Sequence, residues 1–127
     1  MSESTTTRRP RVLQIAYACG PGRGSEPGMG WNRAIESAQH FDTWVIVRRQ
    51  QCETWIEQQL AREGSIPNLH FEYLSLTPLE ERLARIPGLE YWVYNRWQRR
   101  AIALAHNLHE DIRFDLTHQV TYGGFRE

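Results

Sequence analysis

The spacing of hydrophobic and polar positions changes several times along the 127-residue chain, and each change marks a new element. Short runs of mainly apolar residues are typical of strands that are buried on both faces of a parallel sheet. Apolar positions at three- and four-residue steps are typical of helices. The pattern predicts strands at residues 12–18, 43–47, 69–74 and 114–117, and helices at residues 27–40, 52–62, 78–85 and 89–109.

Strands and helices alternate in this prediction, and alternation favours right-handed crossovers and a parallel sheet. We therefore expect an α/β fold with a Rossmann-like parallel sheet of about four strands and flanking helices. Residues 1–10 are rich in Ser and Thr and are expected to form a disordered leader, with residues 11–127 forming one partial domain. Because the chain stops soon after its last predicted strand, we expect one region of the sheet to be left uncovered.

Composition excludes several classes of function. Fifteen basic residues balance fifteen acidic ones, whereas a nucleic-acid binder that works by counterion release carries a basic excess. All fifteen basic residues are arginines, so mechanisms that need a lysine amine, such as the Walker A loop, are excluded. Cys19 and Cys52 lie far apart and favour two buried or half-buried thiols in a reducing compartment over a zinc site. With no membrane-length apolar run and no signal-peptide pattern, we expect a cytoplasmic protein.

Five of the nine glycines fall in residues 19–30, which we call the glycine-rich segment. The segment joins the first predicted strand to the first predicted helix, at the edge where open α/β sheets bind ligands. Glycines there would let backbone N–H groups approach an anion such as phosphate. The dinucleotide fingerprint G-x-G-x-x-G is broken, because Ser25 and Arg33 stand where its third glycine is required. The alternative is a long turn whose glycines serve only the backbone geometry.

Three strings in the sequence are more specific. Residues 22–32 read GRGSEPGMGWN after a V-L-x-I-A-Y strand, residues 114–127 read FDLTHQVTYGGFRE, and a Y-x-x-W-Q-R-R helix lies between them. In these strings the chain resembles bacterial glycosyltransferases of family 4. The resemblance covers nearly all of the chain after residue 10.

The resemblance implies one half of a two-domain GT-B fold, namely the front part of the N-terminal, acceptor-side domain. The intact enzyme would move a sugar from a nucleotide-diphosphate sugar to an acceptor hydroxyl with retention of configuration, without a metal or other cofactor. The acceptor is often lipid-linked in this family, which implies peripheral contact with the inner face of a membrane. The C-terminal donor domain would be a required partner, and the chain alone is expected to be inactive.

Candidate site residues follow from the segment and the resemblance together. His118 comes directly after the last predicted strand, so its ring is expected to reach the same edge as the glycine-rich segment. The resemblance implies that this histidine lies near the transferred sugar. The alternative is a histidine packed beside Tyr122. Glu26 could orient an acceptor or accept hydrogen bonds from the amides of the segment, and the alternative is a carboxylate at the start of a helix, stabilised by the helix dipole. We expect the catalytic contact at His118 and substrate binding at Gly22, Gly24, Ser25, Glu26, Gly28, Gly30, Gln119 and Tyr122.

Other polar clusters give weaker signals. Glu80-Glu81 and Glu110-Asp111 are neighbours on predicted helices, where adjacent side chains point to different faces, so we expect solvated charge. His106 and His109 lack a third ligand, so we expect no metal site. Residues 89–100 hold four aromatic residues and three arginines. Such a segment could stack nucleic-acid bases or lie on an anionic membrane. Core packing is the favoured explanation, because Tyr94 and Trp97 belong to the apolar stripe of the helix, and it leaves only Tyr91 and Trp92 to explain.

Two other classes of function stay open at this point. One is a stand-alone protein-binding α/β module, whose open cleft face docks a partner chain or forms a dimer through the uncovered sheet. The other is an NADP-binding domain of a nucleotide-sugar oxidoreductase or epimerase. Arg48 and Arg49 end the second predicted strand, where a 2′-phosphate would be bound, but the broken fingerprint argues against this class.

Overall fold

The computed structural model describes residues 9–22 and 25–120. Four strands and four helices are found along this part of the chain, and they alternate except that two consecutive helices lie between the third and fourth strands. They are β1 (Arg11–Ala16), α1 (Ser25–His40), β2 (Asp42–Arg48), α2 (Cys52–Glu63), β3 (Leu69–Leu74), α3 (Pro78–Leu83), α4 (Glu90–Ile112) and β4 (Leu116–Val120).

The four strands form one sheet in the order β3-β2-β1-β4, and every pair is parallel. The predicted α/β fold with a Rossmann-like parallel sheet is therefore confirmed. Val12 of β1 pairs with Thr43 of β2 on one side and with Leu116 of β4 on the other. The chain moves outward from β1 to β3 and then returns to the far side of β1, so the order reverses between β1 and β4. That reversal makes the β1–β4 boundary the topological switch point of the sheet.

Helices cover the two faces of the sheet differently. Successive side chains of a strand point to opposite faces, and β1 supplies both cores by this alternation. One core joins β1 to α4, through Leu13, Ile15, Val93, Trp97 and Ala101. The other joins the sheet to α1 and α2, through Ala16, Val45, Trp31, Ala34 and Ile56. The near-continuous apolar run of β1 is thus explained by burial on both faces.

The corner between β3 and α4 is fixed by a buried carboxylate. Thr77 and Glu80 form a reciprocal capping box at the start of α3. The Glu80 side chain is fully buried and accepts from Arg96 Nε at 3.2 Å and from Arg100. The prediction of solvated charge was therefore wrong for Glu80, because the capping box turns this carboxylate inward toward the arginines of α4. Glu81 is exposed, as expected.

Element boundaries differ from the sequence prediction at three places that matter for the site. Strand β1 ends at Ala16, two residues before its predicted end. Helix α1 starts at Ser25, two residues early, since Pro27 is tolerated in a first turn whose N–H groups need no helical partner. Strand β4 starts at Leu116 and continues to Val120, because Phe114 is buried in the α4 core and is not part of the ladder. Among the described helices, none combines the length and apolar character needed to cross a membrane.

Candidate functional site at the carboxyl edge of the sheet

The glycine-rich segment begins three residues beyond the last residue of β1, at the switch point. Its described part is closed by a hydrogen bond from the Gly20 N–H to the Pro27 carbonyl oxygen, at 2.9 Å. Gly22 has φ +72°, a left-handed conformation that favours glycine, and an added Cβ there would meet no atom of the described residues within 4 Å. One hydrogen bond therefore joins the two described parts of the segment, and the second part forms the N-terminal turn of α1.

Gly30 lies one turn into α1 and has a different reason to be glycine. A Cβ at this position would overlap the carbonyl oxygen of Ala18, so only glycine lets the helix approach the backbone that leaves β1. Close helix–strand packing is the role that the third glycine has in dinucleotide-binding folds. The contact gives Gly30 a packing role in this chain, and its predicted role in substrate binding stays a prediction.

The structure describes the other predicted substrate-binding residues to different extents. Gly28 is buried in the first turn of α1, and the backbones of Ser25 and Glu26 begin that helix. Gln119 pairs with Ile15 in the sheet. Gly24 and Tyr122 lie outside the described residues, so their predicted roles stay predictions.

His118 lies within β4 and not after it, which corrects the expected position. Its backbone pairs with Gln14 in the middle of β1, and two further residues of the strand follow. Measured along the strand, His118 therefore lies roughly 6.6 Å before Val120, the last paired residue of β4. The strand is longer at its carboxyl end than its apolar pattern predicts, because the polar residues His118 and Gln119 also join the ladder with β1.

The exposed His118 ring borders a groove between α1 and β4 with a volume of about 390 Å³. Its Nε2 atom lies 3.5 Å from Nη1 of Arg33 in α1. Gln14 also lines this groove, and its Nε2 donates to the Arg33 carbonyl oxygen at 3.4 Å. Arg33 thus lies between the two polar side chains that neighbouring strands place on this face.

Gln14 was not singled out from the sequence, although a polar residue in the middle of a buried strand is a usable signal. The side chain is only 4% exposed, and its Oε1 has no hydrogen-bond partner within the described part of the chain. A buried acceptor without a donor costs roughly 1–3 kcal/mol. A hydroxyl or N–H donor that entered the groove could satisfy Oε1 once the side chain turned outward.

The connection between β2 and α2 borders the glycine-rich segment and is strained. Gln51 has φ 73° and ψ −48°, and the Cys52 N–H donates to the Gln50 carbonyl oxygen at 2.8 Å. These values describe a γ-turn of the rare positive-φ form. The Arg48 guanidinium donates to the Gln50 carbonyl at 3.0 Å and lies 4.5 Å from the centre of the Tyr17 ring. Its donors therefore stabilise this turn at the edge of the crevice.

Two buried thiols join the glycine-rich segment to α2. The Cys19 N–H donates to Cys52 Sγ at 3.4 Å, and Cys52 Sγ donates to the Tyr17 carbonyl oxygen at 3.7 Å. Burial raises the pKa of the Cys19 thiol and of the Cys52 thiol, the second despite the nearby Arg48 charge. Both groups are thus protonated and unreactive at neutral pH, and the prediction of two buried thiols is confirmed.

On the other side of β4, an apolar groove of about 350 Å³ separates the strand from α4. Ile15, Ile102 and Phe114 line it together with His106 and His109. The His109 Nδ1 accepts the Phe114 N–H at 3.0 Å, so this ring ends the helix. Within residues 9–22 and 25–120, no three side chains of the metal-binding types come together as a cluster.

Comparison with protein-family models, with curated proteins and with solved structures finds no match for this chain. The geometry described above and the sequence resemblance therefore carry the functional interpretation.

Proposed function

We propose that this chain is the acceptor-side portion of a retaining, family-4-like glycosyltransferase, which moves a sugar from a nucleotide-diphosphate sugar to an acceptor hydroxyl in the cytoplasm. The observation that carries the proposal is the position of the glycine-rich segment. It leaves β1 at the switch point and leads into the N-terminus of α1. Ligands of open α/β sheets bind in the crevice at that point.

The chemistry of the reaction fits this arrangement. Sugar transfer from a nucleotide-diphosphate sugar releases a nucleoside diphosphate, whose negative charge develops as the glycosidic bond breaks. Backbone N–H groups and a helix N-terminus stabilise such charge, and one well-placed donor is worth about 3–4 kcal/mol in the transition state. In this proposal the open backbone around Gly22 supplies donors, with Ser25 and Glu26 at the helix start.

His118 and Gln14 add polar contacts at the neighbouring groove. A neutral imidazole both donates and accepts a hydrogen bond, and the Gln14 Oε1 atom accepts one, so together they suit the hydroxyl groups of a sugar. Since His118 lies on the face covered by α1, we assign it to hydroxyl binding in the α1–β4 groove and leave the diphosphate to the glycine-rich segment.

The donor nucleotide would be held by a second domain in the intact enzyme. We therefore expect the 127-residue chain to give no glycosyl transfer with UDP-, GDP- or ADP-linked sugars and simple sugar acceptors. Turnover by this chain alone would contradict the assignment as one half of the enzyme.

A test that needs no turnover follows amide chemical shifts during titration with inorganic pyrophosphate and with UDP-glucose. We expect millimolar binding with shifts concentrated at residues 20–28. The variant Gly22→Asn keeps a residue type that tolerates positive φ and adds a side chain over the open backbone, so we expect at least about fivefold weaker binding. The control Gly88→Asn makes the same change at another open glycine with positive φ, in the α3–α4 connection, and should bind normally.

The outcome also separates the other classes of function. Chemical-shift changes elsewhere, or binding that Gly22→Asn leaves intact, would show that the segment is a turn with no role in ligand binding. NADPH binding in preference to pyrophosphate would favour the oxidoreductase class, although the Arg48 guanidinium is already hydrogen-bonded to the γ-turn. Self-association through β4 without ligand binding would favour the protein-binding module.

A further inference from the structure

The α1–β4 groove, with its volume of about 390 Å³, is lined by charged as well as neutral side chains. Arg33 and Glu36 line it from α1, where residues three apart lie next to each other on one face of the helix. Val12 of β1 and Leu116 of β4 add apolar surface. The groove therefore offers a cation, a carboxylate and an apolar wall within one cavity.

The Arg33 guanidinium is available to bind a ligand. The side chain is exposed, and within the described part of the chain no carboxylate lies within ion-pair distance of it. Its Nη1 atom lies 3.5 Å from Nε2 of His118, a long contact that engages one of five N–H donors. Because two parallel N–H groups of a guanidinium match the two oxygens of a carboxylate, Arg33 suits a carboxylate ligand.

Gln14 supplies an unsatisfied acceptor beside this cation. The side chain is 4% exposed, and among the described residues its Oε1 atom has no hydrogen-bond partner. Its Nε2 atom donates to the Arg33 carbonyl oxygen at 3.4 Å, so the amide lies against the turn of α1 that contains Arg33. A ligand hydroxyl that donates to Oε1 would remove the cost of a buried acceptor without a donor.

The balance of charge in the groove selects the kind of anion. Besides the imidazoles of two histidines, its described lining has one cation, Arg33, and one anion, Glu36. A carboxylate has one negative charge, which Arg33 matches, whereas a phosphate monoester has nearly two and would be repelled by Glu36. An ionised carboxylate only accepts hydrogen bonds, so Glu36 also suits the hydroxyl groups of a ligand.

We propose that the α1–β4 groove binds a sugar that carries a carboxylate, namely a uronic acid. Arg33 binds the carboxylate, and Gln14 Oε1 and His118 bind hydroxyl groups. That the ligand is a sugar rests on the proposed glycosyltransferase function, and the acceptor is then an acidic sugar. A neutral sugar would leave the guanidinium unpaired, and a simple carboxylate would leave Oε1 unpaired, so Arg33 determines specificity together with Gln14.

The test is titration of the 127-residue chain with sodium glucuronate, followed by amide and side-chain chemical shifts. We expect millimolar binding, with changes concentrated at residues 12–14, 33–37 and 116–118. Arg33→Gln should weaken binding by about tenfold or more, because the carboxylate loses its charged donors. Arg33→Lys keeps the charge without the planar fork and should recover only part of the affinity. The control Arg99→Gln removes an exposed arginine of α4 outside the groove and should bind normally.

Three comparison ligands separate the two kinds of contact. Glucose has the hydroxyl groups without the carboxylate, and acetate has the carboxylate without the hydroxyl groups. Each should bind at least about fivefold more weakly than glucuronate, since each lacks one set of hydrogen bonds. Glucose 6-phosphate should also bind more weakly than glucuronate, because Glu36 repels its second negative charge.

The variant Gln14→Leu separates a role in binding from a role in the fold. Leucine is similar in size to glutamine but has no polar atoms, so it removes the unpaired acceptor. We expect glucuronate binding to weaken at least about threefold while the midpoint of urea unfolding stays unchanged or rises. A lower midpoint with unchanged binding would assign the amide to the fold and overturn its role in the groove.

Other results would overturn the proposal as a whole. They are no binding of glucuronate, equal binding of glucose or acetate, tighter binding of glucose 6-phosphate, and equal loss of binding in Arg33→Gln and Arg99→Gln. Glucuronate-dependent changes at residues 20–28 in place of the groove would also overturn it. The proposed function is tested with pyrophosphate at residues 20–28 and with Gly22→Asn, which leaves the groove unchanged, so the two tests fail separately.

Discussion

Glu80 is the polar residue on which the corner between β3 and α4 depends. Its carboxylate accepts from the Thr77 N–H, from Arg96 and from Arg100, while Arg100 also donates to the Ser75 carbonyl oxygen at 2.9 Å. Removing one member of a buried ion pair costs roughly 3–5 kcal/mol, and less where the partners are partly exposed to solvent. Both arginines are partly exposed, so we expect the cost of removing the Glu80 charge to lie below that range.

We predict that Glu80→Gln lowers the free energy of unfolding by about 2–3 kcal/mol, because two guanidinium groups then face a neutral amide. Urea unfolding followed by circular dichroism measures this loss. The matched control is Glu81→Gln, a change at the adjacent exposed carboxylate, which should cost under about 1 kcal/mol. Equal losses at the two positions would contradict the buried-ion-pair interpretation.

The same carboxylate predicts a pH dependence with a definite sign. Burial alone would raise the pKa of Glu80, but the Thr77 N–H and the two arginines outweigh it, so the pKa is lowered from its usual 4.5. The unfolded chain therefore binds the proton more readily. The contribution of Glu80 to stability is complete above pH 4.5 and is lost as the pH falls through the lowered pKa.

Unfolding measured at pH 3 to 6 checks this dependence. The stability gap between the unchanged protein and Glu80→Gln should be widest at pH 6 and should narrow toward pH 3. A gap that stays constant over this range would show that the carboxylate charge contributes nothing.

At the scale of elements, the contact between α1 and the backbone after β1 decides where the helix lies. Alanine is normally favoured over glycine inside a helix by about 1 kcal/mol. At Gly30 we predict the opposite sign: Gly30→Ala should destabilise the fold by about 1–2 kcal/mol, because its Cβ overlaps the Ala18 carbonyl oxygen and overpacking outweighs propensity. Thermal and urea unfolding measure the change.

The control for this prediction lies in the same helix. Asn32→Ala changes an exposed position of α1 and should leave stability unchanged or slightly raised, since it alters propensity alone. A stabilising Gly30→Ala would show that α1 can move away from the segment without cost.

Helices and strands differ in how well the sequence predicts them. The doubly buried run of β1 and the apolar stripe of α4 have strong local patterns, so their type and order were predicted correctly. The position of His118 depends on how far β4 pairs with β1, which is a property of the ladder and not of the local pattern. The burial of Glu80 depends on arginines 16 and 20 residues away in sequence, and no local rule brings them together.

As with the helices and strands, the sequence predicted some features of the candidate site and missed others. That the glycine-rich segment leaves β1 at the carboxyl edge follows from element order and was correctly predicted. Gln14 and the γ-turn at Gln51 were missed. Gln14 could have been found, because a single polar residue within a buried strand is unusual. The γ-turn could not, because Gln rarely adopts positive φ and its residue type therefore does not indicate such a turn.

In the whole molecule, the four strands are not equally supported. β1 and β2 each pair on both edges, whereas β4 pairs only with β1 among the described strands and has a groove on each face. The amino end of β4 is held at Arg11, whose backbone N–H donates to the Asp115 carboxylate at 2.8 Å and whose carbonyl oxygen accepts the Asp115 N–H at 2.7 Å. Opening of β4 ahead of the rest of the sheet is therefore expected.

Hydrogen exchange measured by mass spectrometry checks this order of opening. The amides of β4 should exchange fastest among the strands, and Asp115→Ala should raise their exchange by about 2- to 13-fold, since one hydrogen bond contributes roughly 0.5–1.5 kcal/mol. Amides of β2 should be unchanged, because opening at β4 leaves the β1–β2 ladder intact. Asp111→Ala, at an exposed carboxylate in the last turn of α4, provides the control and should change neither strand. A uniform rise across the sheet would mean that β4 opens only when the whole domain unfolds, and the groove beside His118 would then be as rigid as the core of the protein.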